Sequence, residues 1–308
     1  MLSLTAFTTR TSFLTRFLST STSTSSKKSS ILHPCIRSVL IRRPPPNFAL
    51  GLTTPSFGKP INTDYGIALR QWLRYVNVFE NRGIKTISLP PLDENCPDAV
   101  FVEDTSIFFK SQHESNSESV AVICENMAEE RRPEVESMKE VVLGLEDESL
   151  GGKFDRVEYV NGEGEKLDGG DVLKCPVSNK VYVGLSSRSN ALGVKKLQYL
   201  LPDHEVVGVP ITKVLHLKSC VTALPDGRII GYDPLVDDKE IFGSEYFSVP
   251  EEGGAHVVIL DEKTLLIAAS APKTAELLSK EGYDLEIVDI DQFEKLEGCV
   301  TCLSVRRR

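Results

Sequence analysis

No run of about 18 consecutive apolar residues occurs in the chain, which excludes a membrane-spanning helix of ordinary hydropathy. Cysteine is scarce. Seven residues among 308, at positions 35, 96, 124, 175, 220, 299 and 302, are too few for a disulfide-built scaffold. Cys299 and Cys302 form a Cys-x-x-Cys pair, but no second ligand pair of similar spacing accompanies it, so no metal site is indicated. Nor does the pair open a helix after a strand, as a thioredoxin-like role requires; a regulatory disulfide is a minor reading. Collagen-like periodicity is absent, and 41% hydrophobic with 26% charged residues is the composition of an ordinary globular chain.

Acidic residues are missing from the opening stretch, where the first is Asp64. Before it stand Arg10, Arg16, Lys27, Lys28, Arg37, Arg42, Arg43 and Lys59, so residues 1–63 carry +8 and residues 64–308 carry −17 of the formal −9. The tract from Ser19 to Ser26 is entirely Ser and Thr. Basic, hydroxyl-rich and acid-free is the composition of an organellar transit peptide. Leu2, Leu4, Phe7, Phe13, Leu14, Phe17 and Leu18 interleave with Arg10 and Arg16 in the manner of an amphipathic helix. Arg16-Phe17-Leu18-Ser19 resembles a matrix-peptidase site and points to the mitochondrion; the Ser/Thr tract points to a plastid as the alternative. The expected division is a disordered transit peptide over 1–46 and one folded domain over 47–308, beginning past Pro44-Pro45-Pro46. The acidic remainder argues against nucleic acid as a partner and suits a small cationic ligand.

Beyond the presequence, strand and helix patterns alternate. Apolar spacing predicts a helix over 64–82 ending at Gly83, then a strand over 84–89. Strands follow at 99–109 and 119–124, a helix at 129–144, a strand at 181–184, a helix at 190–201 and a strand at 205–209. Further strands are expected at 215–224, 227–231, 255–260, 264–268 and 285–288, with a helix starting at Thr274. Asp104, Asp168, His216, His256 and Cys302 each stand among apolar residues, at gaps of 64, 48, 40 and 46. That quasi-period near 50 suggests repeated supersecondary units or blades.

The chemistry-bearing candidates are a thiol, an imidazole and several carboxylates. Cys302 with a distant His is one pattern of nucleophilic catalysis, in which thiolate attacks an electrophilic carbon and imidazole handles the leaving-group proton. His216 is the favoured base and His256 the second choice, because His33, His113 and His204 fall in the presequence or in polar loops. Asp93, Glu94, Asp98, Glu103 and Asp104 crowd one segment, and a charge ending an apolar strand is either paired or functional. Strand alternation would send Glu103 and Asp104 to opposite faces. Asp168 and Asp171 flank Gly169-Gly170, a turn that permits close backbone approach.

Five segments, in order, resemble the dimethylarginine dimethylaminohydrolase family. Pro97-Asp98-Ala99-Val100-Phe101-Val102-Glu103-Asp104 and Leu167-Asp168-Gly169-Gly170-Asp171 are two of them. Gly184-Leu185-Ser186-Ser187-Arg188-Ser189-Asn190, Leu215-His216-Leu217-Lys218 and Thr301-Cys302-Leu303-Ser304-Val305 are the others. The resemblance implies an α/β fold, a five-bladed propeller of ββαβ-type units with the site at its axis. It implies a hydrolase that cleaves N-omega-methylated arginine to citrulline and a methylamine through a covalent thiouronium, with no cofactor. It further implies roles: Cys302 as nucleophile, His216 as acid and base, and Asp168 orienting His216 or touching the guanidinium. Asp104 would hold the guanidinium with Asp98 and Glu103 nearby, Arg131 and Arg188 would bind the carboxylate, and Leu52 and Leu296 would line the substrate. Departures from the family pattern fall before Arg131, at Glu297 where an Asp is usual, and at His256-Val257. Alternatives are a hydrolase or deiminase of arginine or agmatine, and a non-catalytic arginine-binding or redox-sensing protein. Physically, a planar guanidinium calls for paired carboxylates, and arginines suit the carboxylate at the substrate's other end.

Overall fold

Three short strands and one crossover set the pattern that the described residues repeat. The computed structural model describes residues 35–51, 62–92, 96–110, 118–124 and 129–308, and residues 32–308 form one compact unit. Chain order runs β1 (Ser38–Ile41), α1 (Tyr65–Asn81), β2 (Lys85–Ser88), β3 (Ser106–Lys110), β4 (Ser119–Ile123), α2 (Arg132–Leu143) and β5 (Arg156–Tyr159). It continues β6 (Val172–Lys174), β7 (Lys180–Leu185), α3 (Ala191–Leu200), β8 (Glu205–Pro210), β9 (Val221–Ala223), β10 (Ile229–Gly231) and β11 (Tyr246–Ser248). It ends β12 (Val257–Ile259), β13 (Thr264–Ala268), α4 (Pro272–Lys280), β14 (Asp284–Val288), α5 (Asp291–Glu294) and β15 (Val305–Arg307). Helix starts follow capping chemistry: Asp64 accepts from Ile67 N–H, and Asn190 from Gly193 N–H.

The strands form five three-stranded sheets: β3-β4-β5, β6-β7-β8, β9-β10-β11, β12-β13-β14 and β15-β1-β2. Every sheet has the same build, a first strand antiparallel to the second and a second parallel to the third. A parallel pair needs a crossover. Helices α1 to α4 supply it in four sheets, and short 3-10 turns over Asp233–Leu235 and Lys239–Glu245 supply it between β10 and β11.

Both faces of the first two strands of each sheet are largely buried, and the apolar clusters show how the sheets are ordered. Leu40 and Val305 pack with Phe108 and Ala121; Ile107 and Val120 with Val172 and Val181; Leu173 and Tyr182 with Val221 and Ile229. Leu224 and Ile230 then pack with Val257 and Leu265, and Val258 and Leu266 return to Val39 and Ile41. Consecutive residues of one strand therefore serve opposite neighbours, as a two-residue side-chain period demands. Five sheets joined pairwise by five cores close into a ring. The α/β architecture of five ββαβ-type units expected above is what the chain adopts.

The structure moves three boundaries. The presequence was expected to extend to residue 46, but β1 is the middle strand of its sheet, with Val39, Leu40 and Ile41 essentially inaccessible. Arg42, counted above among the basic presequence residues, is 1% exposed. Its guanidinium donates to Pro90 O at 3.1 Å, Ala99 O at 3.3 Å and Ser137 Oγ at 3.0 Å, and burial holds its pKa down to about 10. The strands expected at 99–109 and 215–224 are each broken: a 3-10 turn (Val102–Thr105, Leu217–Ser219) precedes a shorter strand.

A deletion tests the first correction. Truncating one large buried side chain costs about 2–5 kcal/mol against a total stability of about 5–15 kcal/mol. Removing residues 1–46, and with them β1, should therefore yield insoluble protein, whereas removing residues 1–34 should leave a soluble, cooperatively melting chain. Soluble, folded protein from the longer deletion would show β1 to be dispensable.

Candidate active site

Each sheet is entered through a tight turn, and the five spaced polar residues occupy those turns. Asp104 lies in the 3-10 turn Val102–Thr105 ahead of β3. Asp168 caps the turn Gly169–Asp171 ahead of β6, accepting from Gly170 N–H at 2.9 Å. His216 precedes the turn Leu217–Ser219 ahead of β9, His256 follows the turn Glu252–Ala255 ahead of β12, and Cys302 lies in the turn ahead of β15. A turn can present a buried polar side chain off the end of a strand, where the strand ladder does not dictate its direction.

The turns are pressed together. A Cβ on Gly169 would overlap the Glu103 carbonyl oxygen, and one on Gly170 would meet the His216 ring at 2.8 Å. The two glycines thus admit neighbouring turns rather than a ligand, and Glu103 N–H donates to Cys302 O at 3.2 Å across the same junction.

A cleft of about 400 Å³, open to solvent, collects Cys302, His216, Asp104, Asp98, Arg131 and Arg188. Leu296, Phe101 and Leu215 form its apolar wall. Asp104, Asp168 and His216 are all buried, with donor atoms within 4.8 Å of one another. Two carboxylates and an imidazole are a donor set that a divalent ion could use. Here they engage each other. His216 Nε2 and Asp168 Oδ2 lie 3.3 Å apart, close enough to pair electrostatically without forming a hydrogen bond.

The electrostatics divide the roles. Burial opposes the charge on His216, but Asp168 and Asp104 outweigh it and raise the imidazole to about 10, so it is an imidazolium at neutral pH. Burial also opposes the charge on Asp168; His216 outweighs it and holds that carboxyl down at about 2. Asp104 goes the other way, raised to about 7 by burial and by the neighbouring Asp168 against the pull of Arg131. Asp104 and Asp171 add to the pull of Asp168 on the imidazolium.

Not every expected site residue reaches the cleft in its expected role. Glu103 points away, into an ion-paired cluster with Lys218 Nζ at 2.6 Å and with Arg306, which keeps its carboxyl below the usual range despite burial. Arg131 lines the cleft, yet its guanidinium is spent on Asp104, on Glu134 at 2.6 Å, and on the carbonyls of Asp98 and Phe101 at 3.2 and 3.0 Å. It therefore fixes Asp104 rather than presenting itself to a carboxylate. Arg188 Nη1 is buried with no protein hydrogen-bond partner, as is Asp104 Oδ1. His256 Nε2–H donates to Ser219 O at 2.9 Å, and the residue lies outside the cleft lining. Leu52, Asp93 and Glu94 lie outside the described residues.

Two residues noted in the sequence without a role of their own also build the site. Asp171 accepts from Leu217 N–H at 2.9 Å and from Ser186 Oγ at 2.6 Å, tying the turn before β9 to the one carrying Arg188. Glu297 lines the cleft at φ 60°, the one non-glycine residue with positive φ among the described residues. Such backbone strain is concentrated at functional sites.

Comparison with known proteins agrees with this geometry. The family described as N,N dimethylarginine dimethylhydrolase, eukaryotic, matches residues 53–240. The N(G),N(G)-dimethylarginine dimethylaminohydrolase of Streptomyces coelicolor is 46% identical over 274 residues, 88% of this chain and 97% of the relative. The Pseudomonas aeruginosa protein of the same name is 30% identical over 87% of this chain and 98% of its own length. A solved structure from that organism, a Cys-to-Ser mutant complexed with citrulline, superposes with a TM-score of 0.73 at 28% identity, covering 89% of this chain and all of the other. The N-terminal domain of ArgZ, a cyanobacterial arginine dihydrolase, superposes at 0.72 with 17% identity over 87% of this chain and 97% of that one, a likeness of fold.

Proposed function

The chain belongs to the dimethylarginine dimethylaminohydrolase family, and from that membership and the geometry of the cleft we infer the reaction and the residues that perform it. The protein is a hydrolase of guanidinium C–N bonds. It converts N-omega-methylated arginine to citrulline and a methylamine through a covalent thiouronium on cysteine.

The observation that carries the residue assignment is the meeting of Cys302 with a buried Asp104–Asp168–His216 cluster in one cleft. Asp104, fixed by Arg131 and with Oδ1 unpaired by protein, accepts N–H from the substrate guanidinium, and the cation in turn favours its carboxylate form. Asp98 stands beside it in the lining. The thiolate of Cys302 adds to the guanidinium carbon. His216, held as imidazolium by Asp168, gives its proton to the departing amine. The neutral imidazole then takes a proton from water, which attacks the thiouronium carbon and releases citrulline. Arg188, with Nη1 unpaired, receives the α-carboxylate, and Leu296 covers the aliphatic part of the substrate.

A panel of N-omega-methylated arginines, arginine and agmatine, assayed for amine and ureido product, tests the substrate choice. Methylated arginines should turn over fastest and release methylamine with citrulline in equal amounts. Faster turnover of arginine or agmatine would reassign the substrate, and inertness toward every guanidine would leave a binding protein.

Targeting to the mitochondrion is part of the same proposal. Arg10, Arg16, Lys27 and Lys28 with no acidic residue support it, and cleavage near Arg16-Phe17-Leu18-Ser19 would leave β1 whole. Residues 1–34 fused to a fluorescent reporter should carry it into mitochondria; delivery to plastids or to neither organelle would refute this.

A further inference from the structure

Cys299 has no part in the reaction described above, yet its sulfur touches the nucleophile. The two Sγ atoms are 3.3 Å apart, and Cys302 N–H donates to Cys299 O at 3.1 Å, so both side chains leave one tight turn. Their exposure differs. Cys302 faces the cleft, whereas Cys299 is 4% exposed, with Thr301 Oγ1 at 3.3 Å on its other side. Small oxidants can reach the first sulfur, and only the first sulfur can reach the second.

We propose that Cys299 and Cys302 form a reversible disulfide when a hydroperoxide enters the cleft, Cys302 being the thiol that is oxidised and Cys299 the thiol that resolves it. This rests on the reading of Cys302 as nucleophile. The Cys302 thiolate attacks one peroxide oxygen: an S–O bond forms, the O–O bond breaks, and the other oxygen leaves as hydroxide or alkoxide. Sulfur is oxidised to sulfenic acid and the peroxide is reduced. Cys299 sulfur then attacks the sulfenic sulfur: S–S forms, S–O breaks, and the departing hydroxide takes the Cys299 proton as water. Closing 3.3 Å to the roughly 2.05 Å of a disulfide needs side-chain rotation within the turn. The same contact draws the first ionisation of the thiol pair below the usual range and pushes the second above it. A loop of four residues gains little chain entropy from the cross-link, so the disulfide would alter activity far more than stability.

The bland alternative is that Cys299 is a small buried hydrophobe that happens to touch its neighbour. The full chain treated with hydrogen peroxide separates the two. Turnover should fall to background and return with dithiothreitol. The tryptic peptide bearing residues 299 and 302 should be lighter by two hydrogens, and the unfolding midpoint should hold. In Cys299→Ser, and in Cys299→Ala as a check on packing, the same treatment should drive Cys302 to sulfinic acid, a loss that dithiothreitol does not reverse. Equal, irreversible loss in the wild type and both variants would overturn the proposal, as would absence of the linked peptide from inactivated protein. A linked peptide with undiminished turnover would uphold the pairing and refute Cys302 as nucleophile.

Discussion

Cys302→Ser is expected to fold as the wild type does and to turn over no substrate. The substitution keeps the shape of a half-buried side chain in a turn, so a stability change under about 1 kcal/mol is expected. Chemistry changes far more. A thiolate adds readily to a cationic guanidinium carbon, whereas a serine hydroxyl in the same turn keeps its proton near neutral pH. Loss of a covalent nucleophile costs on the order of 10⁴-fold or more in kcat. Citrulline release, followed alongside the unfolding midpoint, checks both halves. Full turnover in a folded variant would end the covalent mechanism, and a collapsed midpoint would mean that the thiol is structural.

His216→Ala carries the second large effect. Removing the acid and base costs about 10²- to 10⁴-fold in turnover. It also leaves Asp104 and Asp168 buried with no imidazolium between them, so the variant should take up a proton near neutral pH that the wild type does not. The wild type sets the pH signature. The competent imidazolium persists until pH rises through about 10, so turnover should fall on that limb, and the limb should vanish from the residual activity of the variant. Stability follows the same groups. His216 is raised above its unfolded value near 6.5, so its contribution is complete below that pH and is lost as pH rises through about 10. Asp168 is depressed, so its contribution is complete above about 3.8 and is lost as pH falls through about 2. Urea midpoints across pH measure both. A wild-type alkaline limb centred near the unperturbed value of about 6.5 would show that Asp168 does not hold the imidazolium.

Much of this was legible in the chain, for definite reasons. Helix α1 could be read because Asp64 caps it, Gly83 at φ 72° stops it, and its apolar residues recur at helical spacing. The five-unit plan was visible only as the spacing of Asp104, Asp168, His216, His256 and Cys302. The units share a turn and a strand order rather than a sequence. β1 was lost because Ser38–Ile41 sits between Arg37 and Arg42, and a buried arginine has the same letter as a targeting one. The turns at Asp104 and His216 looked like strands because apolar residues alternate around them. Lys218 and Arg306 reach Glu103 from segments up to 203 residues away, and no local pattern can pair them. Residue roles came from the family resemblance; composition and periodicity alone left Cys302 a cysteine near an end and His216 one histidine of two.

The pairing of β15 with β1 sets an order of events during synthesis. The second strand of that sheet is made among the earliest residues and waits, unpaired on one edge, until residues 305–307 emerge. Cys302 leads directly into that last strand. A nascent chain is therefore catalytically silent until its ring shuts, and the same late step that completes the barrel of cores also delivers the sulfur. A chain that stops before residue 302 lacks both this thiol and the strand that pairs with β1.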